Sequence, residues 1–134
     1  MHKLYDPSHY KVVFISSAPI GVPFLNQLVQ DPRFELTGII TQPDKAVGRG
    51  LKMQPNIIKT TALELGIPAE DIQTPTKINP DKSIEGKNIF DRLVAQKPDF
   101  LVVIAYGKIL PQSLLDIPLF GAINVHGSLL PKYR

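Results

Sequence analysis

The chain has 134 residues, and 15 Lys+Arg against 12 Asp+Glu leave a formal charge of +3 at pH 7. A hydrophobic content of 43% with 20% charged residues excludes global disorder, and 9 Gly with 13 Pro on no three-residue period exclude a collagen-like chain. The absence of cysteine removes disulfide scaffolds, thiolate metal sites and cysteine nucleophiles together.

This length suits one domain around a single core. The longest apolar run, residues 100–106, is far short of the roughly 20 residues a membrane span needs. The start, Met1-His2-Lys3-Leu4-Tyr5-Asp6-Pro7, has no apolar signal core, so a soluble cytoplasmic protein without a membrane partner is the expectation. The small positive excess permits a nucleic-acid partner without establishing one.

In chain order, Val12-Val13-Phe14-Ile15 reads as a strand buried on both faces. Pro19 suits the first turn of a following helix, with Val22, Leu25, Leu28 and Val29 as its apolar stripe and Asp31-Pro32 as its end. Residues 34–41 predict a second strand, and residues 42–55, with Pro43, Gly48, Gly50 and Pro55, a long loop. Asn56 caps a helix through Leu65 that Gly66 stops, and Ile67 begins a short strand. Residues 74–86 are polar and read as a surface excursion. A helix over 89–96 should bury Ile89, Phe90, Leu93 and Val94. The most hydrophobic strand covers 100–106, a short helix 111–115, and a last strand 121–126.

Strands alternating with helices predict an α/β fold: a doubly wound, mostly parallel sheet of about five strands with helices on both faces. Ligands of such sheets sit beyond the carboxyl ends of the strands. That places Ser16-Ser17, Thr41 onward, Tyr106-Gly107 and Asn124-Val125-His126 on one rim.

Asn124 and His126 are two apart in a strand and so share a side of the sheet. An amide donor can stabilise an oxyanion while an imidazole moves a proton. Two polar residues at a strand end also commonly do no more than satisfy backbone groups, and spacing alone favours that plainer role. His2 and His9 lie in the polar N-terminal stretch, and three scattered histidines argue against a metal site. Gly48-Arg49-Gly50 is neither a dinucleotide fingerprint, since Met53 takes the third glycine position, nor a P-loop. Lys45, Arg49 and Lys52 therefore sit on a basic loop that is either solvated or able to clamp nucleic-acid phosphates. Leu129 and Leu130 before Pro131 fit an apolar slot or a covered sheet edge.

Four segments fall in one order: Thr41-Gln42-Pro43-Asp44, Gly48-Arg49-Gly50, residues 105–111 (AYGKILP) and residues 123–134 (INVHGSLLPKYR). Together they resemble the N-terminal, formyl-transferring domain of the methionyl-tRNA formyltransferases, from about Lys11 to Arg134. The last segment is shared with other folate-dependent formyltransferases, and the long loop after Thr41 points to the tRNA enzymes among them. The resemblance implies a Rossmann-like sheet that binds 10-formyltetrahydrofolate and passes its formyl group to the amino group of methionyl-initiator tRNA, with no metal. It implies that Asn124 holds the formyl oxygen and that His126 assists proton transfer. Ser128, Leu129, Leu130 and Pro131 would contact the folate, Ile109 and Leu110 would line the pterin slot, and Arg49 with Lys45 and Lys52 would approach the tRNA. A formyltransferase acting on glycinamide ribonucleotide or an amino sugar is the alternative within the class. A folate- or tRNA-binding module without catalysis is the alternative outside it.

The chain departs from the family pattern in three places. Ser16-Ser17-Ala18-Pro19 stands where Gly-Thr-Pro-Asp is usual, and residues 74–88 form a longer segment than expected. The family's catalytic aspartate is expected beyond the Asn-x-His strand, and neither Asp99 nor Asp116 occupies its place. The expected organisation is an N-terminal extension over 1–10 and an incomplete formyltransferase domain over 11–134, without the C-terminal tRNA-binding domain. Such a fragment is expected to be weak or inactive on its own, and to self-associate through an exposed sheet edge.

Overall fold

The computed structural model describes residues 9–125. Strand β1 (Tyr10–Ser16) leads through a 3₁₀ turn at Pro19–Gly21 into helix α1 (Val22–Gln30). Then come β2 (Phe34–Ile40), β3 (Lys45–Val47), β4 (Lys52–Gln54) and α2 (Ile57–Glu64). A second 3₁₀ turn at Ala69–Asp71 precedes β5 (Ile72–Gln73) and α3 (Ile84–Gln96). The described residues finish with β6 (Phe100–Ile104), α4 (Gln112–Leu115) and β7 (Ala122–Val125).

Five strands form one sheet in the order β5-β2-β1-β6-β7, and every neighbouring pair in it is parallel. The chain steps outward from β1 to β2 and β5, then returns to the other side of β1 as β6 and β7. Both β2 and β6 therefore flank β1, and their crossovers leave it in opposite directions. A crevice opens beyond the carboxyl ends of β1 and β6, at this change of direction.

Side-chain alternation in β1 builds two cores from one strand. Val13 and Ile15 pack with Leu101, Val103, Ile89, Leu93 and Leu114 on the α3/α4 face. Phe14 packs with Leu25, Ile39, Ile58 and Ile104 on the α1/α2 face. Each such buried side chain contributes roughly 1.5–3 kcal/mol, so burial on both faces makes β1 the anchor of the sheet. The doubly wound parallel sheet is thus present as expected. No helix among the described residues is long and apolar enough to cross a membrane.

Local chemistry explains the helix ends. The Asn56 side chain accepts from the backbone N–H groups of Ile58 and Lys59, at 2.9 and 3.1 Å, and so caps α2. Gly66, at φ +87, closes the same helix: its N–H donates to Leu63 O at 3.1 Å, and that of Ile67 donates to Ala62 O at 3.0 Å. These bonds use Ile67 in the helix cap, so the weak strand expected there forms instead at Ile72–Gln73, after Pro68 and the 3₁₀ turn.

Four further expectations are corrected. The stretch 42–55 is not an unstructured loop, because β3 and β4 pair antiparallel within it. Three-residue strands are too short to show an alternation pattern, and the turn between them relies on positive φ at Gly48, Gly50 and Leu51. Helix α3 begins at Ile84 rather than 89, capped by Ser83 Oγ accepting from Gly86 N at 2.9 Å. Val94 and Val29 are half-exposed and lie outside the buried stripes of their helices. Strand β6 ends at Ile104, where Ala105 turns left-handed.

The polar excursion is tied down as well. Glu85 Oε1 accepts from the N–H groups of Thr76 and Lys77, at 2.9 and 3.0 Å, and Ile78 is buried against α3. This strap crosses α3 at Gly86, where an added Cβ would meet Asn79 O at 2.3 Å and Ile78 C at 2.9 Å. Gly86→Ala should gain about 1 kcal/mol of helix propensity and lose more, roughly 1–3 kcal/mol, because backbone must move and Ile78 with it. Urea denaturation checks this: the midpoint should fall with an unchanged slope.

Candidate functional site

Ser16 and Ser17 end β1, and alternation sends them to different places. Ser16 is fully buried beneath Gly21, and its Oγ has no hydrogen-bond partner among the described residues. Ser17 faces the crevice, where its N–H donates to Ala105 O at 3.1 Å and its Oγ accepts from Gln42 N at 3.0 Å. Thr41 Oγ1 then donates to Asn56 Oδ1 at 3.1 Å, and Asn56 Nδ2 donates to Gln42 O at 2.9 Å. Gln42 Nε2 completes the network by donating to Tyr106 O at 2.8 Å. The carboxyl ends of β1, β2 and β6 are thereby held by one chain of hydrogen bonds.

A cavity of about 330 Å³ opens beside this network, lined by Val103, Ala105, Tyr106, Gly107, Lys108, Ile109 and Asn124. Asn124 lies opposite Val103 in the β6–β7 register and is exposed. Its amide can hydrogen-bond a carbonyl oxygen brought into the cavity. The lip is shaped by two left-handed residues, Ala105 at φ +48 and Gly107 at φ +89. Ala105 in this region carries roughly 1–2 kcal/mol of strain. A larger cavity of about 620 Å³ lies at the opposite, amino-terminal rim, among Lys11, Val94, Pro98, Asp99 and Leu119. Parallel sheets of this winding bind ligands at the carboxyl rim, so the smaller cavity is the candidate site.

The basic residues stand on the β3–β4 hairpin. Register pairs Lys45 with Gln54 and Val47 with Lys52. Opposed residues share a face, and so do residues two apart, so Lys45 and Lys52 lie on the same face of the hairpin. Arg49 occupies the turn between the strands. Leu51 and Met53 are 70% and 63% exposed, an apolar display that a merely solvated loop has no need of. The hairpin base is tied to α2: Lys59 Nζ reaches Asp44 Oδ1 at 3.1 Å, next to the Asn56–Gln42 bond.

The sequence model of the family described as formyl transferase matches residues 10–134. The chain belongs to the formyl transferase family. It is 42% identical over 124 residues to the methionyl-tRNA formyltransferase of Clostridioides difficile (strain 630), covering 92% of this chain and 37% of that protein. The methionyl-tRNA formyltransferase of Hydrogenobaculum sp. (strain Y04AAS1) is 43% identical over the same shares, and that of Pseudomonas paraeruginosa (strain DSM 24068 / PA7) is 42% identical. The chain spans a little over a third of the length of these curated relatives.

Within this formyl transferase fold, the structure brings Asn124 and Ile109 to one cavity. Leu110 packs partly against the α3/α4 core instead of lining it. Lys45, Arg49 and Lys52 share the hairpin on the same rim. His126, Ser128, Leu129, Leu130 and Pro131 lie outside the described residues. Among the described residues, no group of three or more His, Cys, Asp or Glu is placed to hold a metal ion. Gln42 and Lys108 stand in motifs that the sequence shows, but sequence reasoning gave neither of them a role.

Tyr106 is buried in the α3/α4 core, and its hydroxyl has no hydrogen-bond partner among the described residues. Burial, helped by the Glu85 carboxylate, pushes its phenol up to about 12 from an ordinary value of 10.0. The folded chain thus holds this proton more tightly than the unfolded chain. The resulting stability is full below about pH 10 and is lost as pH rises toward 12. Tyr106→Phe should remove that alkaline loss. At pH 7 it should be neutral or stabilising by about 1 kcal/mol, since the hydroxyl it deletes is unpaired. Urea titrations at pH 7 and pH 11 on both proteins check the two claims together.

Proposed function

We propose that this chain carries the formyl-donor site of an enzyme that transfers the formyl group of 10-formyltetrahydrofolate to the amino group of methionyl-initiator tRNA. The observation that carries the reading is the Asn124 cavity at the carboxyl rim with a basic, apolar-tipped hairpin on that same rim. Membership of the formyl transferase family supports the reaction class, and relatives named methionyl-tRNA formyltransferase support the acceptor.

The acceptor amine attacks the formyl carbon, a new C–N bond forms, and negative charge collects on the formyl oxygen. The Asn124 amide donates to that oxygen in the tetrahedral intermediate. The bond from the formyl carbon to the folate nitrogen then breaks, the amine having lost a proton and the folate nitrogen gaining one. His126 serves this proton movement, as imidazole near neutral pH can. Ile109 supplies an apolar wall for the pterin, with Ser128, Leu129, Leu130 and Pro131 as its further contacts. Lys45, Arg49 and Lys52 meet the phosphates of the acceptor end.

Two measurements on the full-length protein test the donor and acceptor halves. Asn124→Ala should lower kcat by about 10²–10³ with little change in KM, the cost of removing one oxyanion donor. An unchanged kcat sinks the oxyanion role and favours a binding module. Arg49→Ala should weaken tRNA binding and reduce the slope of log K against log salt by about one, while formyl transfer to a small amine persists. Equal losses with both acceptors favour the small-amine enzyme.

A further inference from the structure

The base of the hairpin and the lip of the cavity meet at Gln42. Backbone bonds fix Gln42 on the sheet: its N–H donates to Ser17 Oγ at 3.0 Å and its carbonyl accepts from Asn56 Nδ2 at 2.9 Å. Asn56 also receives Thr41 Oγ1 and caps α2, and Lys59 of that helix pairs with Asp44 at 3.1 Å. The base of the hairpin is therefore tied to both α2 and Gln42. From there two paths reach the lip of the cavity: Gln42 Nε2 donates to Tyr106 O at 2.8 Å, and Ser17, which accepts from Gln42 N, donates its own N–H to Ala105 O at 3.1 Å.

The lip is shaped to receive it. Gly107 adopts φ +89, and a Cβ there would lie 2.6 Å from Gln42 Nε2, so glycine is needed for the approach as well as for the turn. On the far side of the lip, Lys108 Nζ donates to the carbonyls of Pro75 and Thr76, which anchors the following residue to the strap over α3. The lip thus hangs between two fixed bodies, and Gln42 ties it to the one that carries the basic hairpin.

We infer that Gln42 is a positioning residue that couples occupancy of the hairpin by RNA to occupancy of the Asn124 cavity by the folate donor. The inference rests on the function proposed above. An amine delivered by RNA must reach the formyl carbon to within about 3–3.5 Å, and an error near 1 Å costs about 10²-fold in rate. Strand pairing and Ser17 set the strand ends. The Gln42–Tyr106 bond adds the side-chain link that sets the hairpin base against the cavity lip. A ligand that steadies either side then steadies the other, and the effect is reciprocal.

The test is a binding cycle on the full-length protein with 5-formyltetrahydrofolate as a stable folate probe and an unacylated acceptor-stem hairpin of initiator tRNA as the RNA. Gln42→Met keeps length and both backbone bonds but loses the donor, and Gln42→Glu loses it while adding charge. In the wild type, saturating RNA should tighten folate binding by at least about five-fold, and folate should tighten RNA by the same factor. In both variants that factor should vanish, with each ligand alone bound as in the wild type; the lost hydrogen bond lowers the unfolding midpoint but leaves the protein folded at the assay temperature. A merely structural role would instead lower both single-ligand affinities, which overturns the inference. Coupling that survives both substitutions, or a wild type that binds both ligands independently, overturns it while leaving the proposed function standing. A folded wild type that fails to bind one of the two probes removes that half of the proposed function, and the coupling falls with it.

Discussion

Burial of β1 on both faces is the constraint from which the rest of the architecture follows. Val12, Val13, Phe14 and Ile15 are each no more than 1% exposed, so both sides of this strand must be covered and both edges paired. Parallel pairing with β2 and β6 satisfies the edges, and right-handed crossovers then send α1 and α2 to one face and α3 and α4 to the other. The crevice beyond β1 and β6 is a consequence of that winding. Its position owes nothing to the polar residues that line it.

Those polar residues convert a crevice into a site by holding three strand ends in register. Thr41, Gln42 and Asn56 do this with short side chains whose partners are backbone groups or one another. Such a network holds well in a half-buried place, where each unmet donor or acceptor would cost about 1–3 kcal/mol. The same residues close the base of the hairpin, which leaves Lys45, Arg49, Leu51 and Lys52 projecting from a firm footing. Charge and exposed apolar area together on one arm suit a binding surface.

The strap over α3 shows how a polar stretch can be structural. Residues 74–86 read as a surface excursion because the stretch is polar and carries Pro75 and Pro80. Ile78 is nonetheless inserted into the core, and Glu85 and Lys108 hold the backbone of the three residues before it. Two buried residues, Pro75 and Ile78, make too short a pattern for a periodicity argument to find. Val94 and Val29 illustrate the converse error, since helical spacing places them near an apolar stripe whose edge the neighbouring elements fail to cover.

The sequence by itself determined the strand–helix alternation, the cap of α2 at Asn56, its stop at Gly66, and the rim on which Asn124 and the basic residues stand. These features rest on local chemistry and hydrophobic periodicity, which neighbouring residues carry along the chain. It also held the family resemblance, in motifs that the match over residues 10–134 bears out. Only the tertiary structure decided that residues 45–54 pair as a hairpin, that Ser17 rather than Ser16 faces the crevice, and that Leu110 turns toward the core while Ile109 lines the cavity. The Gln42–Tyr106 bond spans 64 residues of chain. Contacts of that separation depend on how whole elements are stacked, and a stacking is visible only once β1 has been buried from both sides.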